Sequence, residues 1–449
     1  MAKKSSGKTL RRTTRKPARP APKRTSSVRK SAPNLDALIR KYIDVILDVG
    51  LNLRPGQRLF IAHSLQFGVD VEFAPIVRLV AEGAYRRGAS FVDVVWGDPR
   101  LERLRMQKAP RGSFGYYPTW PSSARNQQSE AGAAFLSLRG DDPDLHAGID
   151  PKDVNQYLSS IRDKIAPAFE RLSRNAVNWC VATVSSPQWA ASVLPKVPAA
   201  KRVERLWQLI FETCRIGDGD AVARWRKQLD DLARRQAYLN AKQYSWMSYT
   251  GPGTKLKVGL PSNHVWHGGQ ITAENGVVFV PNLPTEEVFT LADRGRVEGE
   301  VTATKPLVYA STSIDGMHLT FSEGKVVNFT ARKGEGLLGE LLRSDEGASR
   351  LGEVALVPHS SPISRMGVTF HNTLFDENAS CHLAFGNGYR FTLKGGEPMT
   401  TEQFAQAGGN SSKVHSDFMI GSAKIDIDGI RADGTSEPVM RKGEWAFEV

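Results

Sequence analysis

Three short segments in the second half of the chain mix carboxylates with imidazoles in a way that suits a cation. PTEEVFT, residues 284–290, carries Glu286 and Glu287; LGEVALVPHS carries Glu353 and His359. The stretch from Asp376 to Asp417 contains LFDENASCHLAFGNGY and SKVHSD. Mixed nitrogen and oxygen donors suit zinc, cobalt or manganese, whereas purely oxygen sets suit magnesium or calcium, so a catalytic transition metal is the indicated chemistry. His415 and Asp417 are two apart, and in a strand such residues point to one side, where both can grip one ion. Glu377 and His382 are five apart, which fits neither a straight strand nor one helix face; they share a site only if the chain turns between them. HxD pairs and acidic clusters are also common in surface loops that bind nothing. His264 and His267, beside Gly268 and Gly269, are expected in a solvated turn.

Other motifs compete with this reading. Gly334 to Gly339 forms a GxGxxG after a strand-like Lys325–Phe329 and before a helical run, which makes a dinucleotide-binding oxidoreductase the alternative. Its strand fits a hairpin better than the first strand of a parallel βαβ unit. GPGTK at 251–255 lacks the spacing of a phosphate loop and is expected to be a turn. Cys381 beside His382 resembles a thiol nucleophile, but side chains adjacent in sequence usually diverge, so Cys381 is expected to pack.

The elements that must carry these residues form two textures. Leu35, Leu38, Ile39, Tyr42 and Ile46 recur at helical spacing between an Asn34 cap and a stop at Gly50. A strand at Arg58–Ala62, a helix from Val71 to Arg87 and a strand at Ser90–Trp96 make a strand, helix, strand unit. Residues 100–150 give weak signals and stay unassigned. A strand at Ala176–Val184 and a helical region from Arg202 to Ala241, broken at Gly217–Asp220, complete the first half. Beyond Tyr249, Lys255–Leu260 alternates, and Leu307–Phe329 suggests strands joined by turns at Asp315-Gly316 and Glu323-Gly324. The expected class is α/β with two domains: an N-terminal α/β domain over 35–240 and a strand-rich α+β domain over 241–449.

Composition narrows the classes. Of 449 residues, 40% are apolar and 24% charged, in the globular range, and no apolar run approaches the roughly 18 residues of a membrane span. Cys180, Cys214 and Cys381 are far apart and odd in number, which disfavours disulfides or a thiolate zinc site and suits the cytoplasm. The net charge of +13 is concentrated in residues 1–34, which hold 12 Lys and Arg and no acid; the rest is near neutral, with 48 basic against 47 acidic residues. That Pro-, Ser- and Thr-rich tail has little to bury, so disorder and salt-sensitive, non-specific contact with nucleic acid or another polyanion are expected. With Met1, Leu10 and Val28 as its large apolar residues, and four prolines, it lacks the amphipathic helix of a transit peptide.

LRPGQ at 53–57, FLSLRGDDPDLHAGIDP at 135–151, GPGTKLKVGLP at 251–261, PNLPTEEVFT, LGEVALVP and LFDENASCHLAFG together resemble the thermophilic aminopeptidase family, the bacterial M29-type metallopeptidases, from Leu35 to Val449. The resemblance implies a two-domain homodimer whose C-terminal domain holds two divalent cations, drawn from zinc, cobalt, manganese or magnesium, and which hydrolyses the N-terminal residue of peptides. Its motifs put metal ligands at Glu287, Glu353, Glu377, His382, His415 and Asp417 and an active-site tyrosine at Tyr389. Glu353 is expected to span the two ions, Glu353 or Glu287 to take the proton, and Tyr389 to donate to the oxyanion. The basic tail departs from the family pattern.

Overall fold

A computed structural model describes residues 1–3, 5, 7, 34–63, 68–309 and 312–449; most of the basic tail, and the expectation of disorder made for it, lie outside these. The first helix is Leu35–Val45, and the Asn34 side chain accepts from the Asp36 amide at 3.2 Å. It continues as a π-helical turn, Ile46–Gly50, where Gly50 lies against Cys180: a Cβ there would meet the Cys180 sulfur at 2.7 Å. Four parallel strands follow, in the order Phe91–Val94, Arg58–Ala62, Ala134–Arg139, Trp179–Thr183. The middle two are apolar and buried, as parallel strands covered on both faces require.

Residues 100–150, unassigned above, contain the helices Pro99–Lys108 and Thr119–Glu130 besides the third parallel strand. Both helices are polar, and the first is set by its ends: Asp98 accepts from the Arg100 and Leu101 amides, with Pro99 in the first turn. The expected break at 217–220 separates helices Ala199–Thr213 and Ala221–Lys242.

From Trp246 onward the sheets are antiparallel. Eight strands run in the order 325–330, 318–322, 297–302, 254–259, 246–251, 426–430, 436–441, 444–445. Five more run in the order His415–Met419, His382–Gly386, Leu351–Leu356, Val288–Leu291, His267–Gly268. Val354, Leu356, Leu383, Phe385 and Phe418 from the smaller sheet share one core with Met247, Tyr249, Leu256, Val258 and Val301 from the larger. Burial of each such side chain contributes about 1.5–3 kcal/mol.

The dinucleotide alternative fails here. Lys325–Thr330 pairs antiparallel with His318–Ser322 in a hairpin, and Gly334 caps helix Glu335–Leu342 with a left-handed φ of 79°. No parallel crossover follows that strand, so the glycines serve a turn and a helix start. GPGTK is likewise the turn between the strands Trp246–Gly251 and Thr254–Gly259.

Candidate metal centre

The five-stranded sheet positions the site through its alternation. Residues directly opposite one another across a strand pair share a face. Glu353 lies opposite Ala384 and Leu291, Ala384 opposite Asp417, His382 opposite Ala355, and His415 opposite Gly386. Glu353, His382, His415 and Asp417 therefore project from one face, while Val354, Leu383 and Phe418 project from the other into the core. The register shifts between Leu351 and Glu353. Such a bulge turns Leu351 into the core and Glu353 out of it, although the two are two apart. Gly352 makes this possible: a Cβ there would stand 2.4 Å from the Gly386 carbonyl oxygen. Glu287 enters from the segment before Val288–Leu291, which is anchored on the first half: the Val181 amide donates to Pro281 O at 2.7 Å and the Leu283 amide to Val181 O at 3.0 Å. Glu377 opens a 3-10 turn, Glu377–Ala379, before the strand that starts at His382. That is the turn needed for the two to approach one site.

Donor atoms of Glu287, Glu353 and His382, and of Glu353, His415 and Asp417, lie within 4.8 Å of one another in each set. His382 Nε2 is 3.2 Å from Glu287 Oε2 and 3.6 Å from Glu353 Oε1; His415 Nε2 is 3.4 Å from Asp417 Oδ1 and 3.9 Å from Glu353 Oε2. Glu287 Oε2 and Asp417 Oδ1 are buried yet outside hydrogen-bonding geometry, so these donors converge without satisfying each other. Each imidazole is oriented through its other nitrogen: His382 Nδ1 lies 3.1 Å from the Ser380 carbonyl and His415 Nδ1 lies 2.8 Å from the Asn387 carbonyl. A carbonyl only accepts, so Nδ1 holds a proton and Nε2 is the nitrogen that, on losing its own proton, would offer a lone pair to a cation, the usual arrangement of a metal-ligating histidine. Two carboxylate oxygens outside hydrogen-bonding geometry beside two imidazoles aimed by Nε2 fit divalent cations, which would replace the Nε2 protons.

The electrostatics of the ion-free cluster point the same way. Burial pushes the Glu353 carboxyl up, and burial, then Asp417 and Glu287, push Glu377 well up. Burial would lower His382, but Glu287 and Glu353 outweigh it and hold the ring well above its ordinary value. His415, also lowered by burial alone, is carried to about 10 by Asp417 and Glu353. Burial works to raise Asp417, and His415 overrides it to hold that carboxyl low. Four carboxylates crowded together out of water demand positive charge.

All six residues and Tyr389 line one cavity of about 560 Å³. The Tyr389 ring is 5.0 Å from that of His415 and stacks on Phe391 at 5.3 Å. Burial, then Glu353 and Asp417, raise its hydroxyl well above the ordinary value.

The remaining candidates lie elsewhere. Glu286 turns away from Glu287 to meet Arg215. Exposed His359 sits 3.3 Å from Ser364 Oγ, and Asp376 accepts from the Phe370 and Asn372 amides. Cys381 is packed, with its sulfur 3.4 Å from Met440 Sδ. The solvated turn expected at His264 and His267 is not found. His264 is 2% exposed with Nδ1 on the Pro261 carbonyl, and His267 pairs with Phe289 in the sheet, its Nε2 3.0 Å from Phe391 O. Both are drawn in by the packing of Trp266 and Phe391. Sequence reasoning missed His267, Phe289 and Phe391 as cavity wall; the HxxH spacing was the available signal for the first. It also missed the Ser380 and Asn387 carbonyls, which no sequence pattern marks.

Residues 35–445 match the family model described as thermophilic metalloprotease (M29). Aminopeptidase 2 of Geobacillus stearothermophilus is 43% identical over 409 residues, covering 91% of this chain and 98% of that protein. Aminopeptidase T of Thermus thermophilus is 41% identical over 407 residues, with 91% and 98% covered. A solved structure of wild-type AmpT from Thermus thermophilus superposes with a TM-score of 0.86 at 40% identity, covering 92% of this chain and all of that one. The chain belongs to the M29 family of thermophilic metalloproteases.

Proposed function

We propose that this chain, a metal-dependent aminopeptidase, removes the N-terminal residue of peptides by means of two divalent cations held by Glu287, Glu353, Glu377, His382, His415 and Asp417. The observation that carries this reading is the membership of Glu353 in both donor sets, because one carboxylate with an oxygen toward each set can bridge two ions. Charge balance supports it: two dications offset the four carboxylates. Bound cations supply a water of lowered pKa and polarise the scissile carbonyl. Glu287, whose buried Oε2 lies within the donor cluster, would accept the proton of that water. Tyr389 keeps its own proton under burial and the surrounding carboxylates, and so can donate to the oxyanion as the carbonyl becomes tetrahedral.

The test is metal content after mild dialysis, paired with amino-acid release from unblocked and N-acetylated peptides. Two ions per chain and cleavage of the unblocked peptide alone are expected. One ion, or equal cleavage of both peptides, overturns the reading. We further propose that the chain divides near residue 240, works as a homodimer in the cytoplasm, where its three buried free cysteines remain reduced, and touches polyanions through residues 1–34. No helix among the described residues is long and apolar enough to cross a membrane.

A further inference from the structure

The cavity lined by the carboxylates is also lined by Ala62 and Arg139, which end two of the parallel strands. The chain leaves Arg58–Ala62 for a strand on one side and later returns to Ala134–Arg139 on the other. Such a switch point opens a crevice at the strand ends, where open α/β sheets bind their ligands. Arg139 ends its strand there and lines the cavity together with Arg125. Its Nε and Nη2 both donate to one Asp141 oxygen, at 3.0 and 2.9 Å, and the other Asp141 oxygen is 2.9 Å from His63 Nε2. Burial would raise the Asp141 carboxyl, but His63 and Arg139 outweigh it, so it stays ionised. Asp141 lines a second, smaller cavity of about 360 Å³ and not the larger one, so it holds the guanidinium from behind. Arg139 Nη1 makes no hydrogen bond among the described residues, and the side chain is 24% exposed.

We propose that Arg139 receives the α-carboxylate of a short peptide whose amino end lies at the carboxylate face, making di- and tripeptides with a free C-terminus the favoured substrates. The proposal rests on the aminopeptidase reading for the orientation of the peptide. A zwitterionic peptide is positive at its N-terminus and negative at its C-terminus, and this one cavity is lined both by the carboxylates and by Arg139. A guanidinium fork already gripped on one edge has lost its rotamer freedom, so it meets a carboxylate at little further entropic cost. A volume of about 560 Å³ is that of a small-ligand site. The proposal also gives a role to RGDD in the FLSLRGDDPDLHAGIDP segment, which the metal chemistry leaves unused.

Calorimetry on the metal-loaded protein tests this with a Leu-Leu analogue whose scissile amide is reduced to an amine, as the free acid and as the carboxamide. The acid should bind about 10- to 100-fold more tightly, the worth of one charge-assisted hydrogen-bonded contact. Arg139→Gln should erase that difference, and Arg139→Lys, which keeps the charge and loses the fork, should keep part of it. A carboxamide with Glu in second place should bind no better than its Leu counterpart if the α-carboxylate is the ligand. Equal affinities in the wild type, or a difference that survives in folded Arg139→Gln, overturns the proposal. Turnover is scored separately: normal cleavage without the affinity difference removes only the Arg139 site, whereas the affinity difference without cleavage removes only the aminopeptidase reading.

Discussion

The adjacent glutamates Glu286 and Glu287 allow fold and chemistry to be separated by changing one atom in each. Glu286 is 4% exposed and receives Arg215 through both oxygens, at 2.5 and 2.8 Å, with Gln228 Nε2 at 3.1 Å. Burial lifts its carboxyl, Arg215 draws it back, and the two short contacts indicate an ionised pair. Glu286→Gln leaves a largely buried guanidinium facing an amide, a loss of about 3–5 kcal/mol for breaking a buried pair. With an unfolding entropy of about 2.1 cal/mol/K per residue, a chain of 449 residues that melts as one unit should lose about 3–5 °C in Tm. Its metal content and kcat should stay near wild type. Glu287→Gln should act at the site instead: its Oε2 lies 3.2 Å from His382 Nε2 within the donor cluster, so metal content and turnover should collapse. Differential scanning calorimetry of ion-free and loaded protein, with metal analysis and peptide turnover on the same samples, provides the comparison. If Glu286→Gln loses metal as Glu287→Gln does, the division of labour argued from the two side-chain directions is wrong.

Other consequences can be checked in the same assays. Tyr389→Phe should lower kcat by about 100- to 1000-fold with KM little changed, as for loss of one oxyanion donor; an effect confined to KM would move Tyr389 to substrate binding. His415 in the ion-free chain stands near 10 against an ordinary 6.5. Because this folded value is raised, its protonated form stabilises the ion-free protein fully below about 6.5, and that stability is lost as pH climbs toward 10. Bound metal replaces the proton, so the Tm gained on metal loading should grow across that window; a gain flat with pH would contradict the assignment of His415. A chain starting at Asn34 should retain turnover and lose salt-sensitive retention of DNA or RNA. Lost turnover, or retention unchanged, would show that residues 1–34 are not a separate electrostatic arm.

What the sequence disclosed of the fold follows from where local chemistry decides structure. Arg58–Ala62 stands out because Leu59, Phe60, Ile61 and Ala62 make an unbroken apolar run, and Asn34 marks a helix start by its own side chain. The helices within 99–130 were invisible because few of their residues are apolar and buried: Pro99–Lys108 buries Glu102 and Met106 alone, so capping by Asp98 defines it, and capping residues recur in every loop. At the site, the approach of His415 and Asp417 was legible from strand geometry. The approach of Glu377 to His382 was not, since it depends on a turn at Glu377–Ala379 that propensity does not announce.

The sharing of Glu353 depends on something still less local, the register of three strands. Glu353 opposite Ala384, and Ala384 opposite Asp417, set the small side chain of Ala384 between two proposed ligands. EVAL, HLAF and HSDF carry one alternation, with proposed ligand or alanine toward the cavity and Val, Leu, Phe or, at 416, Ser toward the other face. A slip of one residue in any strand would bury His382, Glu353 or Asp417 against the larger sheet and put Leu383, Val354 or Phe418 into the cavity. The hydrophobic core thus enforces the register that brings the donors together. For that reason, the proposed ligands, spread over 131 positions from Glu287 to Asp417, are brought together by the packing of the sheet.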